Sequence, residues 1–87
     1  MTEHPVFVEV SKERDRQDRL WGEQNHDPVY WLSILGEEFG EACQAFNNYW
    51  FESTSDNLDA YREEIIQVAA VAVEMIECLD RNSNAEE

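Results

Sequence analysis

The chain predicts an all-α fold: an antiparallel helical bundle, three main helices per chain, completed by oligomerisation. Three observations predict it. Apolar residues recur at helical spacing through residues 6–21, 28–51 and 56–80. The gaps between these stretches hold helix stop and start residues, Gly22 with Asp27-Pro28, then Ser53-Thr-Ser-Asp-Asn57. The stretch Ile65-Ile-Gln-Val-Ala-Ala-Val-Ala-Val73 is apolar on nearly every side, as in a helix surrounded by protein. Three helices from 87 residues do not enclose such a helix, so a partner copy is expected, as homodimer or homotetramer.

In chain order, residues 1–5 read as frayed. The first helix, 6–21, places Val6, Phe7, Val10, Gln17 and Trp21 on one face, with Leu20 at its flank. Arg14 falls on that face too, while Lys12, Asp15, Arg16 and Arg19 point away. Arg14 is read either as a cation that snorkels or pairs with an acid, or as one aimed at phosphate. Gln17 is ambiguous in the same way. Trp21 is read as packing, with stacking on a base as the alternative. Gly22 suits the helix C-terminus. Asp27 followed by Pro28 reads as N-cap and first helical position. Asn25 and His26 lie in this loop; they are candidate base contacts, His26 also a candidate ligand, against a plain reading as solvent-exposed polar residues.

The second helix, 28–51, carries the anomaly. Advanced by about 100° per residue, Tyr30, Trp31, Leu32, Ile34, Leu35, Phe39, Ala42, Ala45, Phe46, Tyr49 and Trp50 fill one broad arc. Glu38 and Glu41 fall inside it. A carboxylate directed at a core is costly unless paired or bound to metal. Gly36 and Gly40 lie four apart on another face, where a second backbone has room to approach. Tyr49-Trp-Phe51 closes the helix as a packing cluster. Asp56 with Asp59 resembles an acidic capping box that opens the third helix, 56–80. There Glu64 falls between Val71 and Met75, with Gln67 at the arc's edge, while Glu74 and Glu77 fall on the polar side. Residues 81–87 read as a mobile polar tail. Two helices thus each direct a polar pair at i, i+3 toward the packed face, a hard-oxygen set suited to a magnesium-class ion.

Composition narrows the function. Twenty acids against six bases give a net charge of −14. Such a surface repels nucleic acid and anionic membranes, and admits a polyphosphate only together with cations. Nothing in the chain reads as a secretory signal or a membrane span. Cys43 and Cys78 read as buried, reduced thiols of a cytoplasmic protein. No GxxxxGK loop and no nucleophile–histidine pairing is present.

The order Glu37-Glu38-x-x-Glu41, then Glu64-x-x-Gln67 beyond residues 42–63, resembles the EExxE…ExxD signature of the MazG-like all-α nucleoside triphosphate pyrophosphohydrolases. Glu13-Arg-Asp-Arg-Gln-Asp18, Trp21-Gly-Glu-Gln24 and Glu64–Glu74 look like a small-protein branch of the same superfamily, so the likeness covers roughly residues 9–80. The resemblance implies one MazG-like domain that cleaves a (d)NTP to the monophosphate and pyrophosphate in nucleotide-pool house-cleaning. It implies Mg²⁺, or Mn²⁺ in its place, held by Glu38, Glu41 and Glu64, with Gln67 at the position of the motif aspartate. One of these glutamates would orient or deprotonate the attacking water. Gln67 departs from the motif: an amide oxygen ligates without bringing charge. Two other readings stay open, a MazG-like module that binds nucleotide or a partner protein without efficient turnover, and an acidic helical interaction module.

Overall fold

Proline sets where two of the three helices begin. In the computed structural model, which describes residues 4–51 and 58–85, Pro5 opens α1 (Pro5–Trp21) and Pro28 opens α2 (Pro28–Trp50). Each supplies the fixed φ of a first helical residue and lacks only an N–H that would have no intrahelical partner. Asp27 stands at the N-cap of α2, but its backbone carbonyl, not its side chain, meets the helix: Trp31 N–H donates to it at 3.0 Å. Gly22 ends α1 with φ +72°, a conformation that favours glycine, and its N–H donates to the Asp18 carbonyl at 2.8 Å. The third helix, α3 (Leu58–Ala85), runs well past residue 80. The stretch expected as a mobile tail is therefore helical through Ala85, and Arg81 and Asn82 bond back to the α1–α2 loop. The expected capping residue Asp56 lies outside the described residues.

The helices pack through α3. Trp31, Val71 and Cys78 form the buried cluster, with Ile34, Leu35 and Met75 against it. The start of α2 thus lies against the later part of α3, while Phe46 near the end of α2 meets Tyr61 near the start of α3. The two helices are antiparallel. α1 packs on α3 and not on α2, tied by Arg62 to Glu9 near one end and by Arg14 to Glu74 and Glu77 further along. Burial of Trp31, at 3% exposure, anchors the α2–α3 contact; removing it should cost about 3–5 kcal/mol.

One chain does not close this core. Ala70 and Val71 are buried, but Ile65 and Val73 on the same helix are 39% and 38% exposed. Much of the expected apolar arc of α2 faces outward, including Tyr30, Leu32, Phe39 and Trp50. Trp21, read as packing, is 68% exposed, because α1 meets only one other helix. Cys43 is exposed while Cys78 is buried, so only one of the two thiols is a core residue. A methyl group at Gly36 or Gly40 would meet nothing within 4 Å among the described residues, so no described backbone approaches there. Among the described residues, no helix is long and apolar enough to cross a membrane.

Candidate metal centre

The register of α2 on α3 builds the site. Seven residues are two helical turns and return a side chain to nearly the same face about 10 Å along the axis. From Trp31, seven residues forward reach Glu38; from Val71, seven residues back reach Glu64. Because the helices are antiparallel, both steps go the same way from one core cluster and end at one point. Glu41 follows Glu38 by three residues on the same face. Carboxylate oxygens of Glu38, Glu41 and Glu64 all lie within 4.8 Å of one another. Glu38 and Glu64 are half-buried and Glu41 is exposed, so the cluster opens to solvent on the Glu41 side.

These acids are poorly compensated from within the chain. Burial raises the Glu38 carboxyl above the usual range, and the charges of Glu41, Glu13 and Glu37 raise it further; Arg16 offsets part of this. Burial also raises Glu64, followed by the charges of Glu41 and Glu38 and a hydrogen bond with Glu41. Such a set favours binding either protons or a cation. All its donors are oxygen, which suits Mg²⁺ or Mn²⁺ and not a soft metal.

Gln67 joins the cluster in a role the sequence did not show. With its Nε2 turned toward the acids, it donates to Glu38 Oε2 and Glu64 Oε2, both at 3.2 Å. Two neighbouring carboxylates attract the NH₂ end of the amide, so in this orientation Gln67 bridges them. The opposite orientation presents its oxygen to the same point, as the ligand position implied by the motif requires. An aspartate in its place would add a fourth negative charge where the amide supplies two donors.

A groove of about 420 Å³ runs beside the cluster between α1 and the α2–α3 pair, with Glu38 and Gln67 in its wall. Gln17 and Trp21, two of the candidate substrate residues, line it. Gln17 Oε1 and Trp31 Nε1, both from groove residues, are buried without a hydrogen-bond partner among the described residues. Groups so placed cost about 1–3 kcal/mol each while unpaired.

The other three candidates lie elsewhere. Arg14 is buried and paired: it donates to Asp18 at 3.0 Å and to Glu77 at 3.0 Å, with Glu74 at 3.9 Å. Its guanidinium is already saturated by acids, which is the pairing alternative. Asn25 accepts from Arg81 and Asn82, and His26 packs on the rings of Tyr30 and Trp31. The loop is held at Cys78–Asn82, and Cys78 stands 14 residues from Glu64, about 20 Å along α3. The structure does not bring Asn25 or His26 to the acids of the same chain.

Two groove residues were missed. Arg16 was expected to point away, yet it lines the groove with Glu38. Glu13, its partner at 2.7 Å, is nearly buried there. The signal lay in Gln17: its neighbour Arg16 and the residue one turn back, Glu13, border the same face, and a long arginine reaches round the helix. A larger, mostly apolar hollow of about 770 Å³ between the start of α2 and the end of α3 contains none of the acid cluster. No protein-family model, no curated protein and no solved structure matches this chain.

Proposed function

We propose that this chain is a Mg²⁺-dependent nucleoside triphosphate pyrophosphohydrolase, with Glu38, Glu41 and Glu64 as the metal-holding acids. The observation that carries this reading is the convergence of three carboxylates, from two helices, within 4.8 Å. The motif order that resembles the MazG-like enzymes supports it, as does the groove at Glu38 and Gln67. Phosphoric anhydride hydrolysis asks little covalent chemistry of a protein and much charge neutralisation and positioning. The ion, when bound, would neutralise phosphate charge and make water more acidic. The chain's own side chains would do the rest. One motif glutamate orients or deprotonates the attacking water. Gln67 sets the directions of Glu38 and Glu64, and Gln17 and Trp21 meet the nucleoside from the groove.

The reading includes a homodimer or homotetramer, because the exposed apolar residues of α2 and α3 are too many for a chain working alone. It also places the protein in the cytoplasm. A second reading, nucleotide binding with little turnover, is favoured by Gln67, which leaves the site one negative charge short of the motif. Pyrophosphate release from a panel of dNTPs, with and without Mg²⁺, decides between them. Release that needs Mg²⁺ and disappears in Glu64→Gln supports the enzyme. Mg²⁺-dependent nucleotide binding without release supports the binding module.

A further inference from the structure

We propose that Arg16 binds a phosphate group of the triphosphate, and that Glu13 holds its guanidinium ready at the rim of the acid cluster. The proposal rests on the pyrophosphohydrolase reading. Of the six lysines and arginines, Arg16 alone lines the groove beside Glu38 and Gln67. Arg14, Arg62 and Arg81 are engaged elsewhere, by Glu77, Glu9 and the Gln24 carbonyl respectively.

The geometry suits a held donor. Arg16 Nε and Nη2 donate to the two carboxylate oxygens of Glu13 at 2.9 and 2.7 Å. That fork leaves Nη1 without a protein partner among the described residues. Glu13 is the fixed half: its side chain is 12% exposed against 49% for Arg16, and it also accepts from Gln17 Nε2 at 3.2 Å. Arginine matches phosphate oxygens with paired donors and stays charged at every working pH. In a chain this acidic, a polyphosphate beside Glu38 would meet repulsion from Glu13, Glu37 and Glu63. Arg16 is the group in place to offset it.

The test pairs steady-state kinetics on the preferred dNTP with calorimetric binding of magnesium pyrophosphate. Arg16→Ala should raise KM and weaken pyrophosphate binding about tenfold, with kcat changed much less. Arg16→Lys should recover part of the loss. Glu13→Gln, which keeps the arginine but loosens its anchor, should show a smaller KM effect. Mg²⁺ affinity without nucleotide should not fall in any of them. A merely structural surface pair predicts no KM change. If the wild type turns over dNTPs and Arg16→Ala keeps both KM and pyrophosphate affinity, the role of Arg16 is refuted and the enzymatic reading survives. If the wild type neither hydrolyses dNTPs nor binds magnesium pyrophosphate, both fall together. Should Arg16→Ala fail to fold, Arg16→Gln carries the same comparison.

Discussion

The helix α3 carries two acid clusters, one at Glu64 and one at Glu74, and they are handled in opposite ways. Both glutamates have carboxyls raised above the usual range, and burial is the first cause at each. At Glu74 the next cause, Arg14, pulls the other way, and Glu77 and Asp18 share the same guanidinium. At Glu64 the causes that follow burial are further acids and all push in one direction. Acid count alone would rank the two alike. What separates them is how closely the protein's own cation engages the acids. Arg14 hydrogen-bonds into the Glu74 cluster, while Arg16 offsets only part of the charge at Glu38, and the less compensated cluster is the one suited to a bound ion.

The largest expected contrast comes from neutralising each cluster in turn. If the chain is the proposed Mg²⁺-dependent pyrophosphohydrolase, Glu64→Gln should lower its turnover by at least about a hundredfold, since metal-ion catalysis supplies several kcal/mol. In Mg²⁺-free buffer the same variant should melt no lower than wild type, because it removes a repelled charge. Arg14→Met should do the reverse. It leaves Glu74, at 5% exposure, without its cation, and should destabilise the fold by about 2–3 kcal/mol in urea titration. That figure lies at or below the low end for fully buried pairs because Asp18 and Glu77 are half-exposed. If Glu64→Gln unfolds the protein while Arg14→Met does not, the assignment of the two clusters is inverted.

A smaller effect separates them by pH. The folded carboxyls of Glu38 and Glu64 are raised above their unfolded values. Their contribution to stability is therefore fully present below the unfolded pKa, about 4.3, and is lost as pH rises through the folded values. On the proposed reading, Mg²⁺ competes with those protons. The gain in melting temperature on adding Mg²⁺ should be greatest near neutral pH and vanish near pH 4. Arg14→Met should keep this Mg²⁺ response and Glu64→Gln should lose most of it. A Mg²⁺ shift that is the same at both pH values would mean that the ion acts elsewhere on the acidic surface.

The helical period directed Glu38 with Glu41 and Glu64 with Gln67 toward the packed faces of their helices, but left open whether the two pairs meet within one chain or across subunits. The antiparallel register of α2 on α3, set by Trp31 and Val71, brings the three acids together in one chain. The period failed where α3 has two packed sides. A single projection divides a helix into one buried face and one polar face, so Glu74 was read as polar surface. In the structure α1 covers that side with Arg14, and Glu74 is buried. The same second contact explains Arg16: with α1 resting on α3 alone, the flank of α1 that faces α2 borders a groove and not a core. The extent of α3 was hidden for another reason. Arg81-Asn-Ser-Asn84 has the composition of a tail, and only the bonds from Arg81 and Asn82 to the loop show why it stays helical.

The smallest expected effect tests which surface a second copy would cover. Gly36 and Gly40 have open space around them, so Gly36→Ala and Gly40→Ala should each stabilise the folded chain by about 1 kcal/mol through helix propensity. That holds only while the face stays open. A partner backbone packed against these glycines would be pushed away by the new methyl groups, and association measured by sedimentation would weaken even as each chain's helix improved. The apolar arc makes the opposite demand. Leu32 and Phe39 are 60% and 58% exposed, and replacing both with serine should leave the single chain's fold nearly intact while weakening association. Glycine variants that stabilise without changing the sedimentation coefficient, beside a Leu32/Phe39 variant that lowers it, would assign the interface to the face that carries Glu38 and Glu41. A partner would then cover the flanks of the acid cluster, and the Mg²⁺ response would depend on protein concentration.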